Sequence, residues 1–265
     1  MLMHPHRHIQ RPDRAQRFGQ SIRLLPMNPA PMRVRRDPEI LVNTGAGFVV
    51  RWHLTSGPWP AVAPAAIGPL RGFHHTILAP GATWPMHIHE DLQSVTYVVT
   101  GALEHSDSLG NHGVLTAGGV QQRWLGWGAE HQERNPSATE RTEFIQLWLR
   151  TPQPDTTALE QHTQYAAEDR FERWLQIVRS ECSPSDGLMV TQEARVQVVR
   201  VDSSSGRLEY EFEAGHGGYV YMIDGDAEAN LERLQTVVAA RVTDKGRLHI
   251  QAFSATELLI VDVPV

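Results

Sequence analysis

Short apolar or alternating stretches, cut roughly every 8–12 residues by glycine, proline, asparagine or aspartate, constrain this chain more than any other feature. Phe73 to Ala79 is β-compatible and ends at Pro80-Gly81, a turn dipeptide. Ser94 to Glu104 reads as one long strand, with Val95, Tyr97 and Val99 on one face, Thr96, Val98 and Thr100 on the other, and Gly101 as a bend. Ser106 to Asn111 is dense in turn formers, and Gly110-Asn111 supplies the positive φ angles of a hairpin. Val114-Leu115 resumes a strand before Gly118-Gly119. Glu143 to Arg150 alternates Phe144, Gln146 and Trp148 against Ile145, Leu147 and Leu149. Beyond Cys182 strands are expected over Arg195 to Asp202, Arg207 to Glu213, Gly218 to Ile223, Gly246 to Phe253 and Leu258 to Val263. Such a series predicts an all-β barrel or sandwich.

One region departs from the pattern. After the break Thr151-Pro-Gln-Pro-Asp155, residues between Thr156 and Arg179 place Ala158, Leu159, His162, Tyr165, Phe171, Trp174, Leu175 and Val178 near helical spacing. The expected architecture is a duplicated β fold around a partly helical linker.

Composition excludes several classes. With 41% hydrophobic and 20% charged residues the chain has the make-up of a soluble globular protein. No stretch approaches the ~20 apolar residues of a membrane span. The most apolar loop-like run, Pro58 to Leu70, is broken by four prolines. Met1 to Arg17 lacks the apolar core of a secretory signal. A single cysteine, Cys182, excludes an intramolecular disulfide framework and fits a reducing, cytoplasmic setting. Of the net charge of -6, residues 1–36 carry +7 and the remainder -13. Without aromatic interleaving or a helix-turn-helix pattern, that basic segment reads as a solvated tail, and nucleic acid is not an expected partner. His4, His6 and His8 lie in the same tail and are given no role.

The chemistry concentrates in two i, i+2 pairs. On a strand, His87 and His89 project to one face, and His131 and Glu133 repeat the spacing. Imidazole and carboxylate together suit Fe, Mn, Ni, Cu or Zn, and a four-ligand site leaves positions for water, O2 or substrate. Hydrogen-bonded polar histidines give the same local pattern. The frame of glycines around the pairs distinguishes this one: Gly81 before His87, Gly101 after the first pair, then Gly118-Gly119, Gly126 and Gly128 before His131.

That frame resembles the cupin superfamily, and Val95 to Asn111, Gly118 to Gln121, His131 to Glu133 and Leu147-Trp148 resemble the pirin family more specifically. The resemblance covers about His87 to Arg150 and implies two cupin barrels. It implies metal, foremost Fe(II), with Zn, Mn, Ni or Cu as alternatives, held by His87, His89, His131 and Glu133. The implied organisation is a basic tail over 1–18 and a metal-binding cupin over 19–152. A helical linker over 153–181 and a C-terminal cupin without metal ligands over 182–265 complete it. Two departures stand out. Gln93 falls where the cupin motif carries a glutamate, and Trp124 to Gly128 replaces the family's usual stretch before the third histidine.

The remaining histidines divide by position. One of His74 and His75 could face the cavity. His105 and His112 flank the hairpin turn, where exposure is expected, and His216 falls in a glycine-rich turn. Trp84, Trp124 and Trp127 are candidates for an apolar pocket wall or for barrel core. The resemblance implies a dioxygenase acting on a quercetin-like flavonol, with Glu133 as the carboxylate that takes the substrate proton. Its rivals are a redox-sensing regulator that binds a protein partner, and another small-molecule cupin enzyme.

Overall fold

The computed structural model describes residues 28–36, 39–55, 66–89, 92–126, 128–151, 158–204 and 207–265. The tail over 1–18, most of the proline-broken run, Glu90, Asp91, Trp127, residues 152–157 and the side chain of His89 lie outside the described residues.

The first strands are β1 (Met32–Arg35), β2 (Leu41–Gly45), β3 (Phe48–Leu54), β4 (Leu70–Leu78), β5 (Thr83–His89) and β6 (Leu92–Thr100). There follow β7 (Ala102–Asp107), β8 (His112–Thr116), β9 (Gly119–Trp124), β10 (Ala129–Arg134), β11 (Thr142–Arg150) and β12 (Leu159–Gln164). The second half holds β13 (Leu175–Ser180), β14 (Leu188–Val190), β15 (Arg195–Val201), β16 (Arg207–Phe212) and β17 (His216–Asp224). It ends with β18 (Asp226–Ala229), β19 (Glu232–Gln235), β20 (Ala239–Val242), β21 (Gly246–Ala252) and β22 (Thr256–Pro264).

These strands build two barrels of like design. The first pairs a seven-stranded sheet, β12-β9-β6-β11-β4-β3-β2, with a four-stranded sheet, β5-β10-β7-β8. The second pairs β1-β20-β17-β22-β15-β13-β14 with β16-β21-β18-β19. Gly101, at φ 77°, makes the sharp turn that divides the expected long strand into β6 and β7. A Cβ there would stand 2.6 Å from the Arg141 carbonyl, so only glycine fits. β1 crosses over to pair with β20, tying the start of the described chain to the second barrel.

The helix expected between Thr156 and Arg179 does not form over the described residues 158–179. That stretch is β12, a single turn of 3-10 helix over Ala167–Arg170, and β13. Short apolar runs match both periods, and tertiary demand decides between them. β9 would otherwise end its sheet with unpaired N–H and C=O groups, and β12 fills that edge from Leu159 opposite Trp124 to Gln164 opposite Gly119.

The two large sheets pack against each other. Leu54, Phe73, Val95, Tyr97, Ile145 and Leu147 of the first barrel share one buried cluster with Val196, Tyr219, Tyr221, Leu259 and Val261 of the second. With both faces covered, β11 and β22 read as nearly continuous buried runs, as expected of two-sided strands. At that interface Tyr97 Oη donates to Glu257 at 2.7 Å, and His75 Nδ1 lies 2.7 Å from Tyr221 Oη. His53 Nδ1 lies 3.0 Å from Tyr219 Oη, and Arg35 donates to the His53 carbonyl.

The barrel interiors differ in kind. The second is filled by Val199, Phe212, Val220, Met222, Leu234, Leu248 and Ile250. The first encloses His74, Thr76, Thr96, Gln121, Arg123, His131, Glu133 and Gln146, all buried. Burying so many polar groups is costly unless each is paired or placed for a ligand.

A candidate metal centre in the first barrel

β5 and β10 lie side by side and antiparallel, with His131 opposite His87 and Ala129 opposite His89. Along β10 burial alternates cleanly, so Ala129, His131 and Glu133 face inward while Glu130 and Arg134 face solvent. The register then slips: Glu133 is opposite Trp84, which places an extra residue of β5 across from β10 around Pro85-Met86. Proline has no N–H for the ladder, so a bulge accommodates it. The Pro85 carbonyl lies 2.8 Å from His87 Nδ1. A carbonyl only accepts, so Nδ1 carries the proton and Nε2 keeps its lone pair for a ligand.

His87, His131 and Glu133 each offer a donor atom, all within 4.8 Å of one another. His131 Nε2 is 3.4 Å from Glu133 Oε1, and the two imidazole rings sit 4.4 Å apart between centroids. Burial pushes the Glu133 carboxyl above its ordinary range, while the Arg123 and His87 charges and the Gln146 hydrogen bond pull it back only in part. A carboxylate packed with two imidazoles in a buried site is a fitting donor set for a divalent transition ion.

Gln146 organises the surroundings. Trp148 Nε1 donates to its side-chain oxygen at 3.2 Å, and because indole N–H is only a donor, this fixes the amide orientation. His74 Nε2 donates to the same oxygen at 3.1 Å, and His74 Nδ1 lies 3.0 Å from Thr76 Oγ1. The amide nitrogen therefore faces Glu133 and donates to Oε1 at 3.2 Å and to Thr96 Oγ1 at 3.1 Å.

These groups line a cavity of about 360 Å³ whose walls include Phe48, Trp52, Trp84, Phe144 and Trp148, with His87 and Glu133 among its polar residues. The rings brace one another: Phe48 and Trp84 meet edge to face at 4.7 Å, and Trp52 and Trp148 lie 5.6 Å apart. A slot of this size with aromatic walls and few polar groups suits a flat organic molecule.

Three of the four residues singled out in the sequence thus converge: His87, His131 and Glu133. Of the fourth, His89, the structure gives the backbone position opposite Ala129. Of the tryptophans named beforehand, Trp84 lines the cavity and Trp124 does not. His74 faces the cavity and His75 faces the second barrel.

Three expectations are corrected. Gln93 does not occupy the pocket; it is buried on the opposite face of β6, where its side-chain oxygen accepts from Thr191 N at 3.0 Å and Thr191 Oγ1 at 3.1 Å. Strand alternation decides this, because Ser94 and Thr96 take the inward positions of β6. His105 is not exposed at the hairpin but buried, since β7 begins at Ala102 and turns its odd-numbered residues inward. His216 opens β17 instead of lying in a turn, held 2.7 Å from Asp262 through Nδ1. The sequence reading named His74 as a possible cavity residue but missed Thr76 and Gln146. A glutamine between Phe144 and Trp148 on the alternating face of Glu143 to Arg150 was the available signal.

Comparison with known proteins agrees with this architecture. A family model described as Pirin matches residues 63–149, and one described as Quercetinase C-terminal cupin domain matches residues 176–263. "Putative quercetin 2,3-dioxygenase PA1210" of Pseudomonas aeruginosa is 30% identical over 196 residues, 74% of this chain and 84% of its own length. "Pirin-like protein" of Caulobacter vibrioides is 29% identical over 195 residues, 74% of this chain and 83% of its own. Among solved structures, the bacterial pirin YhhW of Escherichia coli in complex with nickel(II) superposes with a TM-score of 0.79 at 22% identity, covering 88% of this chain and 99% of that one. Quercetin 2,3-dioxygenase from Acinetobacter baumannii gives a TM-score of 0.68 at 19% identity, over 90% and 88% of the two chains. With two cupin barrels and relatives of this order across most of its length, the chain belongs to the pirin family.

Proposed function

We propose that this protein is a metal-dependent dioxygenase of the quercetin 2,3-dioxygenase type, acting on a flat hydroxylated aromatic substrate in the first barrel. The clustering of His87, His131 and Glu133, with His87 and Glu133 lining a cavity walled by five aromatic residues, carries this reading. His89 is the fourth donor in the proposal, two residues beyond His87 on the same strand. Iron(II) is the proposed ion, although zinc, manganese, nickel and copper accept the same donors. A cytoplasmic setting belongs to the same reading.

A divalent ion held there supplies Lewis acidity, which lowers the pKa of a hydroxyl placed against it. The chain's own residues supply the rest. Trp84 and Trp148, both lining the cavity, offer apolar rings for the substrate to pack against. Glu133, the carboxylate that lines the cavity beside His87, takes the substrate's hydroxyl proton. Gln146 holds that carboxylate in place through its 3.2 Å hydrogen bond.

Aerobic incubation of metal-loaded protein with quercetin should bleach the flavonol absorbance, and chelation or His87→Ala should stop it. Turnover that survives both would sink the proposal. A second reading, a redox-sensing regulator that binds a protein partner, draws support from Met86 and Ile88, which are 46% and 56% exposed and flank His87 on the outer face of β5. Oxidation of the bound ion would add a charge behind that apolar strand. Partner capture that is equal for reduced and oxidised protein would remove this reading.

A further inference from the structure

A second grouping of imidazole and carboxylate lies in the same barrel, away from the aromatic cavity, where the outer strands of the two sheets meet. β8 ends the four-stranded sheet and β12 ends the seven-stranded one. Their seam is closed by Thr116 Oγ1 donating to Gln164 Oε1 at 3.1 Å and by Gln164 Nε2 donating to the Ala117 carbonyl at 2.8 Å. On β12, Glu160 and His162 stand at i, i+2 on one face of the strand, opposite Arg123 and Gln121, with Glu160 half-buried and His162 at the exposed edge. This is a third pair with the spacing that marks the first centre, and it exists only because the segment is a strand.

Glu160 Oε1 lies 3.9 Å from His105 Nε2 and 3.9 Å from His162 Nδ1. Bonds of ~2.0–2.2 Å to a first-row divalent ion separate its ligand atoms by ~3–4 Å, so this oxygen stands at ligand distance from both imidazoles. The His162 side chain is 67% exposed, so its rotamer can change at little cost to bring the ring toward His105. His105 is buried, and the Gln121 amide nitrogen lies 3.2 and 3.1 Å from its two ring nitrogens, an approach aligned with neither lone pair. Space is also reserved at this nitrogen: a Cβ on Gly113 would come within 2.9 Å of His105 Nε2. His105 also lines a cavity of about 300 Å³, together with His112, Gly113 and Gln132 among others.

The other carboxylate oxygen, Glu160 Oε2, lies 3.6 Å from Arg123 Nε. That contact orients Oε1 toward the imidazoles, as an outer partner does for a ligating carboxylate. Its positive charge also opposes a cation, so binding here is weaker than at a site without one.

We propose that His105, Glu160 and His162 form a second site for a divalent transition cation such as zinc or nickel, clipping β7 to β12 across the seam of the first barrel. The test counts zinc by equilibrium dialysis and elemental analysis in full-length protein whose His4, His6 and His8 are replaced by alanine, so that tail imidazoles do not contribute. In that background His162→Ala, at an exposed position, should lower the zinc count by one ion per chain. Glu160→Gln, of the same shape, should do the same. His87→Ala should leave this His162-dependent ion in place, which separates the second site from the first. Unchanged zinc counts in both His162→Ala and Glu160→Gln would overturn the proposal.

Discussion

Replacing Gln146 with leucine, an apolar side chain one methylene shorter, removes its amide. Four hydrogen bonds go with it: two donated, to Glu133 Oε1 and Thr96 Oγ1, and two accepted, from His74 Nε2 and Trp148 Nε1. Taking an acceptor away from buried N–H groups costs about 1–3 kcal/mol each, so stability should fall by about 2–4 kcal/mol with the cavity offering water to one of them. The effect on the metal is separate. Glu133 loses the donor that fixes its oxygen, and losing an outer partner of this kind typically weakens metal binding by about 10–100-fold, or about 1.4–2.7 kcal/mol. Urea unfolding measures the first quantity, and competition with a chromophoric chelator measures the second. Gln122→Leu is the matched control, because Gln122 is also buried in this sheet but faces outward and accepts from Gln161. If the two variants bind metal equally tightly, Gln146 does not position Glu133.

Phe73→Ala should cost about 3–5 kcal/mol in urea, because the ring is fully buried between the large sheets, 5.3 and 5.1 Å from Tyr219 and Tyr221; a loss below 1 kcal/mol would mean that the sheets do not depend on this contact. Gly101→Ala should destabilise by about 1–3 kcal/mol through its positive φ and the crowding against Arg141, seen as a lower thermal midpoint. Stability should also fall in two pH windows. Burial and the Arg35 charge hold the His53 pKa well below 6.5, so its contribution is full above that value and declines as pH falls beneath it. Glu143 is held below 4.5 chiefly by the nearby His75 imidazole, whose Nε2 lies 3.7 Å from its carboxylate, so its contribution is present above 4.5 and is lost only under more acid conditions. Denaturant midpoints measured from pH 8 to pH 3 that stay flat down to pH 5 would refute the His53 assignment.

What the sequence disclosed follows from how local each signal is. His87 and His131-Gln-Glu133 were legible because strand period alone puts i and i+2 on one face, and the turn residues between Val95 and Gly119 fixed the intervening hairpins. The second barrel's strands were readable for the same reason. Residues 158–179 were not, because their apolar spacing fits two periods, and the edge of β9 that settles the matter lies far away in sequence. Gln93 was misplaced because motif spacing counts residues, whereas the pleat of β6 sends position 93 to the interface and 94 to the barrel interior. The Gln146 network was hidden for a different reason: a glutamine amid apolar residues announces a buried polar group, but its partners come from β4, β6 and β10 and meet only in the folded barrel.

The metal content of freshly purified protein, expressed without added metal and gel-filtered to remove loosely held ions, tests the first-barrel centre most directly. One transition-metal ion per chain is expected in wild type. His131→Ala should have none while keeping its β-sheet circular dichroism. Wild-type protein free of metal, or a His131→Ala variant with undiminished content, would contradict the assignment of His87, His131 and Glu133 as a metal centre.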